Sequence, residues 1–277
     1  MDFQKINNFV NEVEKSIKTP AHIVKDEQYL TGVDLGTSYI VIVVLDSKKN
    51  PVACAMQYAD VVKDGLVVDF TGASNIVRGL KKNIEEKTGI ELTKAAIAVP
   101  PGTGKRDADT HRYVVEGAGM EVTDILDEPT AANSVLNITD GVVVDIGGGT
   151  TGLSVFENGK LIYSADEPTG GVHLSLVLAG QYGISFDEAE KLKKTKEKQK
   201  EIFNTVRPVI QKMATIIKTH IKPFNVNAIY LVGGTCCLEG FEKVIEKETG
   251  IKTIKPSNPL LITPIGIALN CSSKEGD

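Results

Sequence analysis

The sequence predicts an α/β protein built from two lobes, and three observations carry that prediction. A strand, an Asp-x-Gly corner and a β-hairpin occur twice, about half the chain apart. β-branched runs are interspersed with stretches at helical spacing, as expected for sheets covered by helices. The chain of 277 residues, 42% hydrophobic and 24% charged, is long enough to bury a sizeable core in one large domain or two lobes.

In residues 1–18, Phe3, Ile6, Phe9, Val10, Val13 and Ile17 recur at helical spacing and predict an amphipathic helix that Thr19-Pro20 ends. The stripe suits either packing on the protein's own first lobe or docking into a partner's groove. Residues 25–28 read as a linker. A strand around residues 30–33 leads into Asp34-Leu35-Gly36-Thr37-Ser38. The β-branched run 39–45 then turns through residues 46–51 into a further strand at 52–55. The second copy opens on Val142-Val143-Val144, continues through Asp145-Ile146-Gly147-Gly148-Gly149-Thr150, and runs a hairpin over 152–156 and 161–163. A long helix is expected over 202–221, after a lysine-rich bridge at 191–201.

The two corners share one chemistry. Glycine allows positive φ and lets successive N–H groups converge on an anion, while Thr37, Ser38, Thr150 and Thr151 add hydroxyl donors. Carboxylates at Asp34 and Asp145 are compatible with a polyphosphate only if a cation lies between them, and Mg²⁺ suits oxygen ligands and retained waters. The paired pattern therefore points to a Mg²⁺-nucleotide held between the lobes. The Val99 to Arg106 segment superficially matches a Walker A loop, but Val99 stands at the first glycine position and Arg106 at the hydroxyl position. It is expected to be a turn between a strand at 95–99 and a helix through 113–117.

Net charge is −5, from 31 basic and 36 acidic residues, which gives no whole-chain electrostatic case for nucleic acid or an anionic membrane. Four cysteines without CxxC spacing suggest reduced thiols in a cytoplasmic protein. No signal-peptide core or membrane span is expected.

These motifs resemble the actin-like ATPase superfamily, which includes DnaK-type chaperones, MreB and FtsA. Val33 to Ser38 is similar to its first phosphate loop and Val144 to Thr151 to its second. Asp127-Glu128-Pro129-Thr130-Ala131-Ala132 resembles the chaperones' NEPTAA segment, and Leu231-Val232-Gly233-Gly234-Thr235 the adenosine motif. Residues 170–193 resemble an MreB segment and residues 264–268 the second connecting helix. Residues 61–70, the short length and Thr150-Thr151-Gly152 further resemble the ethanolamine-utilisation branch, described as chaperonin-like.

The resemblance implies an actin-like, ribonuclease H-like fold with reduced outer subdomains. Residues 1–30 would form a helix and linker, residues 31–140 with 264–277 the first lobe, and residues 141–263 the second. It implies ATP or ADP with Mg²⁺ as cofactors, a chaperone-like protein that is a weak ATPase at most, and a microcompartment-associated setting. Its partners would be ethanolamine-pathway enzymes or shell proteins. A nucleotide-independent adaptor is the alternative, and a small-molecule kinase is disfavoured because kinases of this fold carry larger insertions.

By the same resemblance, Asp34 and Asp145 organise Mg²⁺ through water, while Gly36, Thr37, Ser38, Gly147, Gly148, Gly149 and Thr150 hold phosphates. Glu128 positions the attacking water, unless it is only a helix-start charge. Gly233, Gly234 and Thr235 admit the nucleoside without collision. Glu190 and Lys193 touch ribose and adenine, unless they form a solvated helix face. Three departures argue against fast hydrolysis: Gly152 replaces an acid, no outer-subdomain lysine is matched, and the short bridge at 191–201 leaves the cleft open on that side.

Overall fold

In a computed structural model the described residues are 2–21 and 28–272; the linker positions 25–27 and the terminal residues 273–277 lie outside them. Helix α1 (Phe3–Ser16) starts where the Asp2 carboxylate caps the N–H groups of Gln4 and Lys5 at 3.1 and 3.3 Å. Strands β1 (Leu30–Leu35), β2 (Tyr39–Leu45) and β3 (Pro51–Tyr58) form an antiparallel meander. Asp64 and Gly65, both at positive φ, then turn the small hairpin β4 (Val62–Lys63) and β5 (Leu66–Val67). Helix α2 (Phe70–Thr88), β6 (Lys94–Val99), α3 (Lys105–Glu116) and β7 (Glu121–Asp127) complete the first sheet, ordered β3-β2-β1-β6-β7.

Helix α4 (Glu128–Leu136) crosses to a second sheet of the same plan. Here β8 (Gly141–Ile146), β9 (Thr151–Glu157) and β10 (Lys160–Glu167) repeat the meander. Helices α5 (Gly171–Tyr182), α6 (Phe186–Lys194) and α7 (Gln199–Ile221) follow, then β11 (Ala228–Val232), α8 (Phe241–Thr249), β12 (Lys252–Ile254) and α9 (Ile262–Leu269). The second sheet is ordered β10-β9-β8-β11-β12, so each sheet sets an antiparallel hairpin beside two parallel strands.

Central strands covered on both faces must be apolar throughout, and β2, Tyr-Ile-Val-Ile-Val-Val-Leu, is buried from Ile40 to Leu45. One core packs α2 and α3 on the first sheet, and a second packs α5, α7 and α8 on the other. A third lies between the sheets and takes Val10 and Val13 from α1, Ala132 and Leu136 from α4, and Ile262, Ile265 and Ala268 from α9. Helix α9 approaches so closely that a Cβ on Gly266 would run into the Ala131 carbonyl.

The apolar stripe of α1 is therefore used inside the molecule. Val10 and Val13 have no exposed surface, α1 lies along β3, and the Asn7 carboxamide accepts from the Ser257 N–H at 2.8 Å. Phe3 stacks on Tyr230 of β11 with centroids 6.5 Å apart, so the helix touches both sheets.

Candidate functional site

Two strand ends bring the acids together. Asp34 sits near the end of β1 opposite Val41, and Asp145 near the end of β8 opposite Gly152. The turns that follow, Gly36-Thr37-Ser38 and Gly147-Gly148-Gly149-Thr150, face one another between the lobes. Together with Glu128, Glu190, Lys193, Gly233, Gly234 and Thr235 they line one cavity of about 320 Å³, within the usual size of a small-molecule site. All the residues assigned to the site from the sequence converge there.

At Gly36, Gly148 and Gly149 of these turns glycine is required by proximity, whereas a Cβ on Gly147 would meet nothing closer than 3.7 Å. Gly36, Gly147, Gly148 and Gly149 do not have positive φ, contrary to the expectation from the motif. A Cβ on Gly148 would strike Ser38 Oγ, and one on Gly149 would stand 2.8 Å from Thr37 Oγ1 and 2.9 Å from the Asp64 nitrogen. The second loop thus presses on both the first loop and the tip of the β4–β5 hairpin. At its back, the carbonyls of Gly147 and Gly148 accept from the N–H groups of Gly171 and Val172 at 3.0 and 2.8 Å. In a trans peptide the N–H points opposite to the carbonyl, so the N–H groups of Gly148 and Gly149 are turned away from α5 and towards the cleft. Adjacent N–H groups on one side of a turn can receive an anion.

Behind the loops lies a group of carboxylates. Asp145 is 6% exposed and accepts a 2.5 Å hydrogen bond from Thr263 Oγ1. Burial raises it to about 6, against the lowering effect of that bond. Burial, and then the Asp145 charge, raises Asp34 to about 7. Glu128, the first residue of α4, is pushed well above the usual carboxylate range by burial first and then by Asp145, Asp34 and Asp166. Asp166 is raised to about 6 by burial, opposed by its bond from the Thr150 hydroxyl. Mutually repelling carboxylates of this kind call for a cation. Among the described residues no three His, Cys, Asp or Glu side chains are grouped as a direct metal site; the carboxylate oxygens of Asp34, Asp145 and Glu128 are donors of the kind that suit Mg²⁺ with retained waters.

In the Gly233–Thr235 loop, Thr235 Oγ1 donates to the Gly147 carbonyl at 2.7 Å and ties this third loop to the second. Gly233 has φ of +90°, and a Cβ there would strike Asp145 Oδ1. Its glycine is therefore required by the protein's own carboxylate and backbone. Glu190 is 4% exposed; it accepts from Ser175 Oγ at 2.5 Å and from Lys193 Nζ, which also donates to the Gly171 carbonyl at 2.9 Å. The solvated-face alternative for this pair is excluded by that burial.

The bridge region also differs from its expectation. Helix α6 runs to Lys194 and α7 begins at Gln199, leaving only Thr195 and a 3₁₀ turn at Lys196–Lys198 between them. Lys194 Nζ lies over the rings of Tyr39 and Tyr58 from the other lobe, 4.7 and 4.3 Å from their centroids, and 3.2 Å from Glu190 Oε2. The cleft is spanned on the side expected to be open. The Walker-like segment is a turn: Thr103 Oγ1 donates to the Pro100 carbonyl at 2.6 Å, and α3 starts at Lys105.

Sequence reasoning missed Asp166, Lys194 with its two tyrosines, and the Asp64-Gly65 tip. Only the last carried a local signal, the Asp-Gly pair between short apolar runs.

This architecture, two sheets of one plan around an acid-and-glycine cleft, defines the class as an actin-like ATPase fold. MreB5 of Spiroplasma citri bound to AMPPNP shares that fold, with a TM-score of 0.69 at 16% identity, covering 87% of this chain and 95% of that one. Ethanolamine utilization protein EutJ of Salmonella typhimurium is 42% identical over 252 residues, 91% of this chain and 88% of its own length. EutJ of Escherichia coli K12 is 43% identical over 238 residues, 86% and 84% of the two chains. The crystal structure of EutJ from Carboxydothermus hydrogenoformans matches with a TM-score of 0.92 at 48% identity, over 97% of this chain and 99% of that chain. Residues 108–262 also match the family model described as type IV pilus assembly protein PilM. The chain belongs to the EutJ family within the actin-like ATPase superfamily.

Proposed function

We propose that the chain binds an adenine nucleotide with Mg²⁺ between its lobes, hydrolyses it slowly, and uses lobe closure to change a surface presented to ethanolamine-pathway enzymes or microcompartment shell proteins. The observation that carries this reading is the convergence of two phosphate loops, three carboxylates and the Gly233–Thr235 loop on one cavity. The ethanolamine setting comes from the EutJ relatives, and the nucleotide from the AMPPNP named for the MreB5 neighbour.

In this reading the N–H groups of Gly148 and Gly149 and the hydroxyls of Thr37, Ser38 and Thr150 hold phosphate oxygens. Mg²⁺, when bound, neutralises phosphate charge and aligns the chain for attack. Asp34 and Asp145 orient its waters, and Glu128 holds the attacking water in line. Glu190 and Lys193, fixed by Ser175, present a rigid polar wall to the ribose. A second reading, a nucleotide-independent adaptor of the same compartment, draws on Gly152, which leaves β9 without an acid beside Asp145.

Glu128→Gln separates the two. If the first reading holds, single-turnover ATP hydrolysis falls by about 10²-fold while nucleotide affinity stays within about threefold, because the lost group aligns water and does not grip phosphate. Equal hydrolysis in the variant and the parent would assign the activity elsewhere and favour the adaptor.

A further inference from the structure

The side chains of paired strands that share a register row project from the same face of a sheet. In the first sheet the row through the acid runs Asp34, Val41, Met56 across β1, β2 and β3. In the second it runs Asp145, Gly152, Asp166 across β8, β9 and β10. The first row thus holds one acid at its inner strand, whereas the second holds an acid at each end and a glycine between them. The gap is narrow: a Cβ on Gly152 would lie in ordinary contact with Asp166 Oδ1, at 3.5 Å, and in tight contact with Pro101 Cδ of the opposite lobe, at 3.1 Å. Asp166 Oδ1 therefore lies directly beside the place where a side chain at 152 would start.

Asp166 Oδ1 is buried and has no hydrogen-bond partner among the described residues. A buried acceptor left unpaired requires a ligand such as water or an ion. Its carboxylate also interacts with Thr150, a phosphate-loop residue, and with Asp145 and Glu128. It is not among the residues that line the cavity, but its charge reaches Asp145 and Glu128, which are.

We infer that Asp166 is a positioning residue of the nucleotide cleft, supplying from β10 the carboxylate that β9 lacks at position 152 and so helping to hold a hydrated divalent cation on the nucleotide's phosphates. This rests on the nucleotide reading above. It also changes the meaning of Gly152: the acid is displaced by one strand, from β9 to β10.

Calorimetric titration with a non-hydrolysable ATP analogue, once with Mn²⁺ and once with EDTA, tests the inference in the full chain. The parent should bind more tightly with Mn²⁺. Asp166→Asn, which keeps the shape, should reduce the Mn²⁺-dependent affinity by about tenfold and leave the EDTA affinity within about twofold, since the charge removed acts on the cation. The double variant Gly152→Asp/Asp166→Asn returns the acid to β9 and should recover most of the loss. Thermal melting of each variant reports whether it folds. An unchanged Mn²⁺ affinity in Asp166→Asn, an equal loss with and without metal, or no recovery in the double variant would overturn the role of Asp166 while leaving nucleotide binding in place. A parent that binds no nucleotide under either condition would overturn both.

Discussion

The two hairpins at the heart of the molecule begin alike and finish differently. Both place an aspartate at the end of an inner strand and follow it with a glycine turn. The first is shielded: β3 is buried from Val52 to Ala55, and α1 lies along it. The second is bare, with Leu161 and Ile162 of β10 43% and 44% exposed. The first turn has three residues between strands and the second four, and the longer one reaches across the cleft to Ser38 and Asp64. One hairpin is therefore built into the interlobe core, while the other turns part of its outer strand to solvent and carries the longer glycine turn and a second acid, Asp166. A repeated motif fixes where the charges meet; the strands beside it decide what each copy does.

Breaking the shielding should have the largest effect. Val10→Ala with Val13→Ala removes two fully buried side chains from the interlobe core and should cost roughly 3–5 kcal/mol of stability in denaturant unfolding, combining transfer and cavity contributions. A change below about 1 kcal/mol would mean that α1 is not part of the folded core. The reach of the second loop can be tested next. Gly149→Ala sets a methyl group against the Asp64 backbone, which cannot swing away as a side chain would. It should cost about 1–3 kcal/mol and weaken nucleotide binding, read by thermal melting with and without nucleotide.

The carboxylates give the most specific of these effects. Asp34, Asp145 and Asp166 are raised from an ordinary value of 3.8 to about 7, 6 and 6, and Glu128 is raised as well. The folded protein therefore holds these protons more tightly than the unfolded chain does. Stability contributed by the protonated acids is complete below about pH 4 and is lost as pH rises through about 6 to 7. His111, whose pKa burial lowers, works in the opposite direction, one group against four. Nucleotide-free protein should melt a few degrees lower at pH 8 than at pH 5, and Mg²⁺ with nucleotide should flatten the slope. A melting temperature that climbs steadily over this range would contradict the cluster.

Much of this was legible in the chain because the signals were local. Asp34 with Gly36-Thr37-Ser38, Asp145 with Gly147–Thr150, and the strand run at Tyr39–Leu45 each declare themselves within a few residues. The rest depends on what lies beside them. Asp166 lies near the end of β10 with nothing in its neighbours to mark it; only the pairing with Gly152 gives it a place, and a one-residue change in register would turn it to the other face. Glu190 and Lys193 look like a solvated helix face in sequence, and the packing of α5 against α6 buries them. Lys194 belongs to a lysine-rich stretch that reads as loop, yet a further turn of helix carries it over Tyr39 and Tyr58. The amphipathic stripe of α1 states that it must be covered without saying by what; Val10 and Val13 find their cover in the interlobe core.

The claim on which the account turns is that the two acid corners hold one Mg²⁺-nucleotide between them. Isothermal calorimetry of ATP binding with Mg²⁺ and with EDTA, on the parent and on Asp145→Ala, tests it directly. The account predicts saturable binding near one nucleotide per chain, at least about tenfold tighter with Mg²⁺, and loss of that metal dependence in Asp145→Ala, because the carboxylate beside the second phosphate loop is gone. No binding heat in the parent, or an Asp145→Ala variant that keeps the full Mg²⁺ enhancement, would contradict it.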